Sequence, residues 1–209
     1  MLIKVCGMRD PVNLRDVDGL GVDMIGFVFY KRSPRFVSAR PSYLPVNAKR
    51  VGVFVNASYY YINDCISRYS LDFVQLHGCE TPEYCRELRR FAVSPIRIIK
   101  AIGISCSSDV EKASDYAGNV DYLLFESKCA SHGGSGHKFD WSVLDSYAGD
   151  CPFILSGGLG PDDAERIKSL RHPLMAGIDL NSRFELSPAF KDVQALKHFL
   201  EDLNNEQLK

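Results

Sequence analysis

The sequence lacks the features that mark membrane proteins and nucleic-acid-binding proteins. It has no apolar run of membrane-spanning length and no N-terminal leader in which a charged segment precedes an apolar one. Lysine and arginine are scattered and the formal net charge is −1, so no concentrated basic surface is predicted. We therefore expect a cytoplasmic protein that binds neither nucleic acid nor a membrane.

The seven cysteines include no Cys-x-x-Cys pair. Their odd number and wide spacing are not those of a disulfide framework, and most are expected to be small buried side chains. His77, Cys79 and Cys85 are close in sequence, but their spacing fits no standard structural zinc site. We predict no metal ion.

The chain also lacks an interdomain linker, a low-complexity tract and internal sequence repeats. Its 209 residues, 45% hydrophobic and 24% charged, suffice for one core and are typical of a globular enzyme. We predict a single domain over residues 1–209.

Eight short apolar runs predict β-strands, separated by segments with helical spacing or N-cap signals. This alternation is typical of parallel strands joined by right-handed crossovers, and eight such units close an α/β (β/α)8 TIM barrel. An open doubly wound sheet is the alternative, although it usually needs fewer strands. The predicted strands are Leu2–Cys6, Met24–Phe29, Arg50–Val55, Phe73–Leu76, Ile96–Ala101, Tyr122–Phe125, Phe153–Leu155 and Leu174–Leu180. The predicted helices begin after Asp10 and then cover Ser58–Tyr69, Glu80–Phe91, Ser107–Tyr116, Trp141–Tyr147, Pro161–Leu170 and Pro188–Leu203.

One unit departs from this pattern. Residues 39–47 contain Pro41 and Pro45, which interrupt helical hydrogen bonding. The second helix of the barrel is therefore expected to be short, irregular or absent.

Two titratable residues end predicted strands on different parts of the barrel. Cys6 ends the first strand and Glu126 ends the sixth. Active sites of such barrels lie at the carboxyl ends of the strands. Acid–base chemistry needs two titratable groups whose surroundings give them different pKa values. Cys6 is a candidate base and Glu126 a candidate acid. The alternatives are a buried thiol and a solvated loop carboxylate.

Two loops late in the chain predict a phosphate site. Gly157 and Gly158 follow the seventh strand, and Asn181-Ser182-Arg183 follows the eighth, where barrels often bind phosphate. The glycine pair alone is also compatible with a simple turn. The Gly133–Gly136 loop is a second anion contact, a lid or a plain flexible loop.

Four further polar residues are candidates for the site. Asp179 lies inside the last strand, where a carboxylate is costly unless it is paired or contacts a ligand. Arg35 lies in a cation-rich loop and is suited to bidentate binding of a carboxylate, although a solvated loop is the alternative. Gln75 and His77 end the fourth strand and either line the pocket or are structural.

In their order and spacing, several short motifs together resemble the phosphoribosylanthranilate isomerases of tryptophan biosynthesis. The motifs are KVCG at 4–7, GFVF at 26–29, SPR at 33–35, VGVFVN at 51–56, QLHG at 75–78, GGSG at 133–136, FDW at 139–141, SGGL at 156–159 and GIDLNS at 177–182. The resemblance runs from Lys4 to about Phe199. It implies a (β/α)8 barrel that performs an Amadori rearrangement of phosphoribosylanthranilate, a small-molecule substrate, without metal or cofactor.

The resemblance also implies roles for individual residues. Cys6 would be the general base and Glu126 the general acid, while Arg35 would bind the anthranilate carboxylate and Asp179 would face the substrate amino group. The remaining predicted substrate contacts are Gly7, His77, Gly157, Gly158, Asn181 and Ser182.

Two residues depart from the family pattern. Glu126 stands where aspartate is usual, and Arg183 replaces a glycine of the strand-eight turn. A related aminoaldose-phosphate isomerase, as in histidine biosynthesis, is an alternative that Cys6 argues against, since those barrels use aspartate on the first strand. A non-catalytic phosphometabolite-binding barrel is the third possibility. We expect a monomer, because no self-complementary apolar stretch stands out.

Overall fold

The computed structural model describes residues 1–127 and 140–205 and contains a closed barrel of eight parallel strands. Each strand is hydrogen-bonded to the next, and β8 pairs with β1 through Leu2 opposite Gly177 and Lys4 opposite Asp179. This closure confirms the (β/α)8 barrel and excludes an open sheet. The strands are β1 (Leu2–Cys6), β2 (Met24–Val28), β3 (Lys49–Phe54), β4 (Phe73–Leu76), β5 (Arg97–Ile104), β6 (Tyr122–Ser127), β7 (Phe153–Leu155) and β8 (Met175–Leu180).

Helices connect most of the strands, and the first begins at the predicted cap Asp10. Asp10 accepts hydrogen bonds from the backbone N–H groups of Val12 and Asn13, and Ser58 and Thr81 cap the next two helices. The α-helices within the described residues are α1 (Pro11–Asp18), α2 (Tyr59–Tyr69), α3 (Pro82–Phe91), α4 (Ser107–Lys112), α5 (Ala164–Ser169) and α6 (Val193–Asn204). None of them is long and apolar enough to cross a membrane.

Between β2 and β3 the chain forms turns without an α-helix, so the second helix is absent, which is one of the expected outcomes. Two other segments differ from their predicted helices. Trp141–Ser146 is a 3-10 helix. The last helix begins at Val193 and not at Pro188, because Glu185–Ser187 (β9) and Phe190–Lys191 (β10) form a small antiparallel hairpin before it.

Asp18 holds the helix-free segment between β2 and β3 in place. Its carboxylate accepts hydrogen bonds from the Tyr43 hydroxyl (2.6 Å) and from the backbone N–H groups of Val46 (2.9 Å) and Ala48 (2.8 Å). Asp18 is almost fully buried. Burial opposes ionisation, but these donors outweigh it and lower the pKa of Asp18. One ionised side chain thus replaces the hydrogen bonds that a helix would supply internally.

Candidate active site

The lumen of the barrel changes from apolar to polar towards the carboxyl ends of the strands. Its lower layer is a cluster of apolar side chains from six strands: Met24, Val51, Phe73, Ile99, Ala101, Leu124 and Ile154. Because side chains alternate along a strand, the residue two positions further along points to the same face. Phe73 is thus followed on the inward face by Gln75, Leu124 by Glu126 and Ile154 by Ser156. This polar layer forms the floor of the candidate site.

Lys4 and Asp179 form a buried ion pair across the β1–β8 junction. The Lys4 Nζ lies 2.7 Å from Asp179 Oδ1, and the two residues are direct partners in the strand register. The Ser156 hydroxyl lies 3.2 Å from the other carboxylate oxygen. Burial disfavours the ammonium form, but Asp179 and the adjacent Cys6 outweigh burial and raise the pKa of Lys4. Lys4 is therefore a fixed, buried cation.

Cys6 follows Lys4 on the inward face at the end of β1. A Cβ placed on Gly26 would lie only 2.6 Å from its sulfur, so the neighbouring strand must carry glycine here. Val28 and Val53 pack around the thiol. Burial raises the pKa of the Cys6 thiol, an effect that the Lys4 ammonium partly offsets. Once formed, the Cys6 thiolate is therefore a stronger base than an ordinary cysteine thiolate.

Glu126 is joined to two side chains at the end of β4. Its Oε1 lies 2.8 Å from His77 Nε2, and His77 Nδ1 lies 2.9 Å from Gln75 Nε2. His77 and Glu126 are each exposed over less than a third of the side chain, whereas Gln75 is buried. Burial disfavours the imidazolium, but the Glu126 carboxylate outweighs it and raises the pKa of His77.

Arg35 is oriented by a carboxylate from the hairpin after β8. Its Nε and Nη2 donate to Glu185 at 2.6–3.1 Å. Glu185 also accepts from the buried Lys191 Nζ (2.7 Å), which in turn donates to Asn181 Oδ1 (2.8 Å). Burial opposes ionisation of Glu185, yet Arg35 and Lys191 lower its pKa. One edge of the Arg35 guanidinium is thus occupied, while its Nη1 makes no hydrogen bond to any of the described residues.

Gly7 fits between Arg35 and Asn181. It has φ +79°, and a Cβ there would lie 2.5 Å from Arg35 Cδ and 2.9 Å from Asn181 Oδ1. Only glycine allows both side chains to approach this backbone without strain. Gly7 therefore brings the Arg35 loop and the strand-eight turn together beside Cys6.

The loops predicted to bind phosphate follow β7 and β8. Gly157 and Gly158 have φ +92° and +69°, and a Cβ on Gly157 would lie 2.7 Å from the Ser127 nitrogen. Ser182 begins a 3-10 turn preceded by Asn181. Arg183 extends along Gly160, where a Cβ would lie 3.3 Å from its Nε. The Gly133–Gly136 loop lies outside the described residues.

Comparison with known proteins identifies the family. The family model described as N-(5'phosphoribosyl)anthranilate (PRA) isomerase matches residues 3–202. The chain belongs to this family. An N-(5'-phosphoribosyl)anthranilate isomerase of Parabacteroides distasonis is 48% identical over 209 residues, covering 97% of this chain and 93% of the relative.

Solved structures of PRA isomerases agree in fold. The Thermotoga maritima enzyme is 33% identical with a TM-score of 0.81 and matches 97% of this chain and 98% of its own. A second PRA isomerase structure, 30% identical with a TM-score of 0.78, covers the same shares of the two chains. It is a complex with reduced 1-(o-carboxyphenylamino)-1-deoxyribulose 5-phosphate.

Sequence reasoning missed three charged residues of the candidate site. Lys4 could have been found, because it lies two positions before Cys6 on a strand and so shares its face. Glu185 and Lys191 gave no such signal. They lie on a hairpin whose second half falls within the segment assigned to the last helix.

Proposed function

We propose that this protein is an aldose–ketose isomerase of the tryptophan biosynthetic pathway, acting in the cytoplasm. Its reaction is the Amadori rearrangement of N-(5′-phosphoribosyl)anthranilate to 1-(2-carboxyphenylamino)-1-deoxyribulose 5-phosphate. Family membership over residues 3–202 supports the reaction. The observation that carries the residue assignment is the placement of Cys6 and Glu126 at the carboxyl ends of β1 and β6, with both side chains directed into one lumen.

The reaction needs one acid and one base. We assign Glu126 as the acid that protonates the furanose ring oxygen, so that the C1′–oxygen bond breaks and a Schiff base forms. The Cys6 thiolate then takes the proton from C2′, and the resulting enolamine becomes the ketone as a proton moves from its hydroxyl oxygen to C1′. No net proton is gained or lost, and no cofactor is required.

Arg35 and Asp179 are assigned to the anthranilate end of the substrate. Glu185 occupies the Nε edge of the Arg35 guanidinium, which leaves the Nη1 end for a carboxylate. Asp179, held by Lys4 and Ser156, faces the substrate amino group. The fixed positions of both side chains lower the entropic cost of binding.

The phosphate end is assigned to the loops after β7 and β8. The left-handed backbone at Gly157 and Gly158 exposes N–H groups, and Asn181 and Ser182 open the facing turn. Gly7 completes the wall between this turn and Arg35. We expect the enzyme to act as a monomer, which light scattering after gel filtration measures directly.

The assignment of Cys6 is tested by following the fluorescence decay of freshly prepared phosphoribosylanthranilate. Cys6→Ala removes the base but leaves a small apolar side chain, so we expect turnover to fall at least about 100-fold with an unchanged circular dichroism spectrum. Cys106→Ala alters an exposed thiol and is the matched control, with activity equal to wild type.

Two results would contradict the proposal. Retained activity in Cys6→Ala would remove Cys6 from the mechanism. A wild-type protein that binds the substrate without converting it would instead be the non-catalytic phosphometabolite-binding barrel.

A further inference from the structure

His77 has neither ring nitrogen available for a substrate. Nε2 contacts Glu126 Oε1 at 2.8 Å and Nδ1 contacts Gln75 Nε2 at 2.9 Å. Both contacts are side chain to side chain, inside the polar layer of the lumen. The ring therefore joins Gln75 to the assigned acid, Glu126, instead of facing the pocket as a ligand contact.

The backbone around His77 is rigid. Its N–H donates to the Phe54 carbonyl at 2.8 Å, which continues the β3–β4 hydrogen bonding by one residue. The next residue, Gly78, donates to Glu80, whose carboxylate is paired with the buried Lys100 Nζ at 2.9 Å. A loop fixed in this way positions the imidazole before substrate arrives.

Gln75 can stabilise both protonation states of the ring. With its amide nitrogen at Nδ1, the neutral imidazole carries its proton on Nε2, directed at Glu126. With the amide rotated by 180°, Oε1 would accept from the Nδ1–H of an imidazolium. Gln75 Oε1 is buried and has no hydrogen-bond partner among the described residues, so rotation would not break an existing bond of that atom. An amide can therefore serve both states of the ring.

The charges around the ring favour its protonation. Glu126 from β6 and Asp179 from β8 are negative, Lys4 from β1 is positive, and the Lys100–Glu80 pair behind the loop is internally neutral. Glu126 is the dominant charge and raises the pKa of His77. By contrast, an ordinary glutamic acid is protonated in roughly one molecule in 500 at pH 7. A glutamate alone would therefore seldom carry the proton that ring opening requires.

We propose that His77, fixed by Gln75, is a positioning residue that stores the proton Glu126 delivers. This inference rests on the proposed function. The proton moves from His77 Nε2 to Glu126 and then to the furanose oxygen as the C1′–oxygen bond breaks and its electron pair passes to that oxygen. This leaves the Glu126 carboxylate and a neutral imidazole with its proton on Nδ1, and Nε2 regains a proton through water after Cys6 has taken the C2′ proton.

The kinetic test compares His77→Gln with wild type between pH 5.5 and 8.5. Glutamine keeps an N–H donor for Glu126 but does not titrate, so we expect little change in KM and a kcat about 10–100-fold lower at pH 8. The ratio of variant to wild-type kcat should rise as the pH falls, because solvent then protonates Glu126 directly. Taking this ratio at each pH cancels the titration of Cys6, which both proteins share.

A second variant and a control complete the kinetic test. Gln75→Leu removes the partner of Nδ1 and should reduce kcat in the same pH-dependent way. His198→Gln makes the same change on the exposed face of α6 and should leave kcat and KM unchanged. A ratio independent of pH would assign His77 a purely structural role. A raised KM with normal kcat would make it a substrate contact.

An NMR titration tests, without any assay of turnover, whether His77 holds the proton that Glu126 delivers. In protein labelled with 15N-histidine, the His77 ring should titrate at higher pH than histidine in an unstructured peptide, and Glu126→Gln should lower that pH. Titration of His77 at or below the pH of the peptide histidine would overturn the proposal. If wild type proves inactive on phosphoribosylanthranilate, the proposed function fails while this titration still reports on the pair.

Discussion

Replacing Lys4 by methionine should destabilise the barrel in a pH-dependent way. The change keeps the length of the side chain but leaves the Asp179 carboxylate without its cation, 2.7 Å away in the native protein. Asp179 is only 6% exposed, so water cannot replace the lost partner. Loss of one member of a buried ion pair typically costs about 3–5 kcal/mol.

The cost at pH 7 has an upper limit, because the orphaned carboxylate can take up a proton instead. Protonating an ordinary aspartate at pH 7 costs about 4 kcal/mol, since each unit between its usual pKa of about 3.9 and the solution pH contributes about 1.4 kcal/mol. The penalty of Lys4→Met should therefore be about 4 kcal/mol at pH 7 and only about 1.5 kcal/mol at pH 5. The penalty falls as the pH falls, because the folded variant binds a proton at Asp179 that the unfolded chain does not hold at neutral pH.

Urea unfolding of wild type and Lys4→Met at pH 7 and pH 5 measures both quantities. With a slope of about 2–3 kcal/mol per molar, the variant midpoint should fall by about 1–2 M at pH 7 and by less than half of that at pH 5. Lys4→Met combined with Asp179→Leu removes both charges and should return stability to within about 1 kcal/mol of wild type while remaining inactive. A penalty below about 1 kcal/mol at pH 7, or one independent of pH, would refute the reasoning.

Two further predictions concern ligand binding and the helix-free segment. Arg35→Ala should weaken binding of phosphoribosylanthranilate, measured as KM, far more than that of inorganic phosphate, measured as its inhibition constant. Equal losses would show that the arginine does not bind the carboxylate. Asp18→Asn should cost about 1–3 kcal/mol in urea unfolding at pH 7, since Tyr43 and the backbone N–H groups lose an ionised acceptor. Because the pKa of Asp18 is lowered in the folded state, its contribution is fully present above about pH 4 and is lost as the pH falls through the folded value. A difference between wild type and Asp18→Asn that persists undiminished at pH 2.5 would contradict this account.

The sequence predicted the barrel because its local signals agree with one another. Apolar runs match the strands closely, and Asp10 caps the first helix as expected. The same reasoning failed at residues 188–192. Pro188 at an apparent helix start indicated α6, but the hydrogen bonds of the β9–β10 hairpin and the positive φ of Ala189 depend on tertiary contacts that no local pattern displays.

The sequence predicted the candidate residues that lie at strand ends, but not the residue that is defined by its ion pairs with other side chains. Cys6 and Glu126 lie at the ends of β1 and β6, as the apolar runs before them predicted, and their inward direction follows from strand alternation. Glu185 was not predicted, because its partner Arg35 comes from the distant segment between β2 and β3, and its partner Lys191 meets it only through the pairing of the β9–β10 hairpin. Spacing along the chain carries no information about such contacts between distant segments.

The glutamate at position 126 is in direct contact with His77. Relative to the aspartate usual in the family, its carboxyl lies farther from the backbone by about 1.5 Å, the length of one C–C bond. In this structure the longer side chain places Oε1 2.8 Å from His77 Nε2. Shortened by one methylene on the same backbone, the carboxyl would move out of hydrogen-bond range of the ring. The length of Glu126 and the position of His77 are therefore matched, and a function assigned to one of them must account for the other.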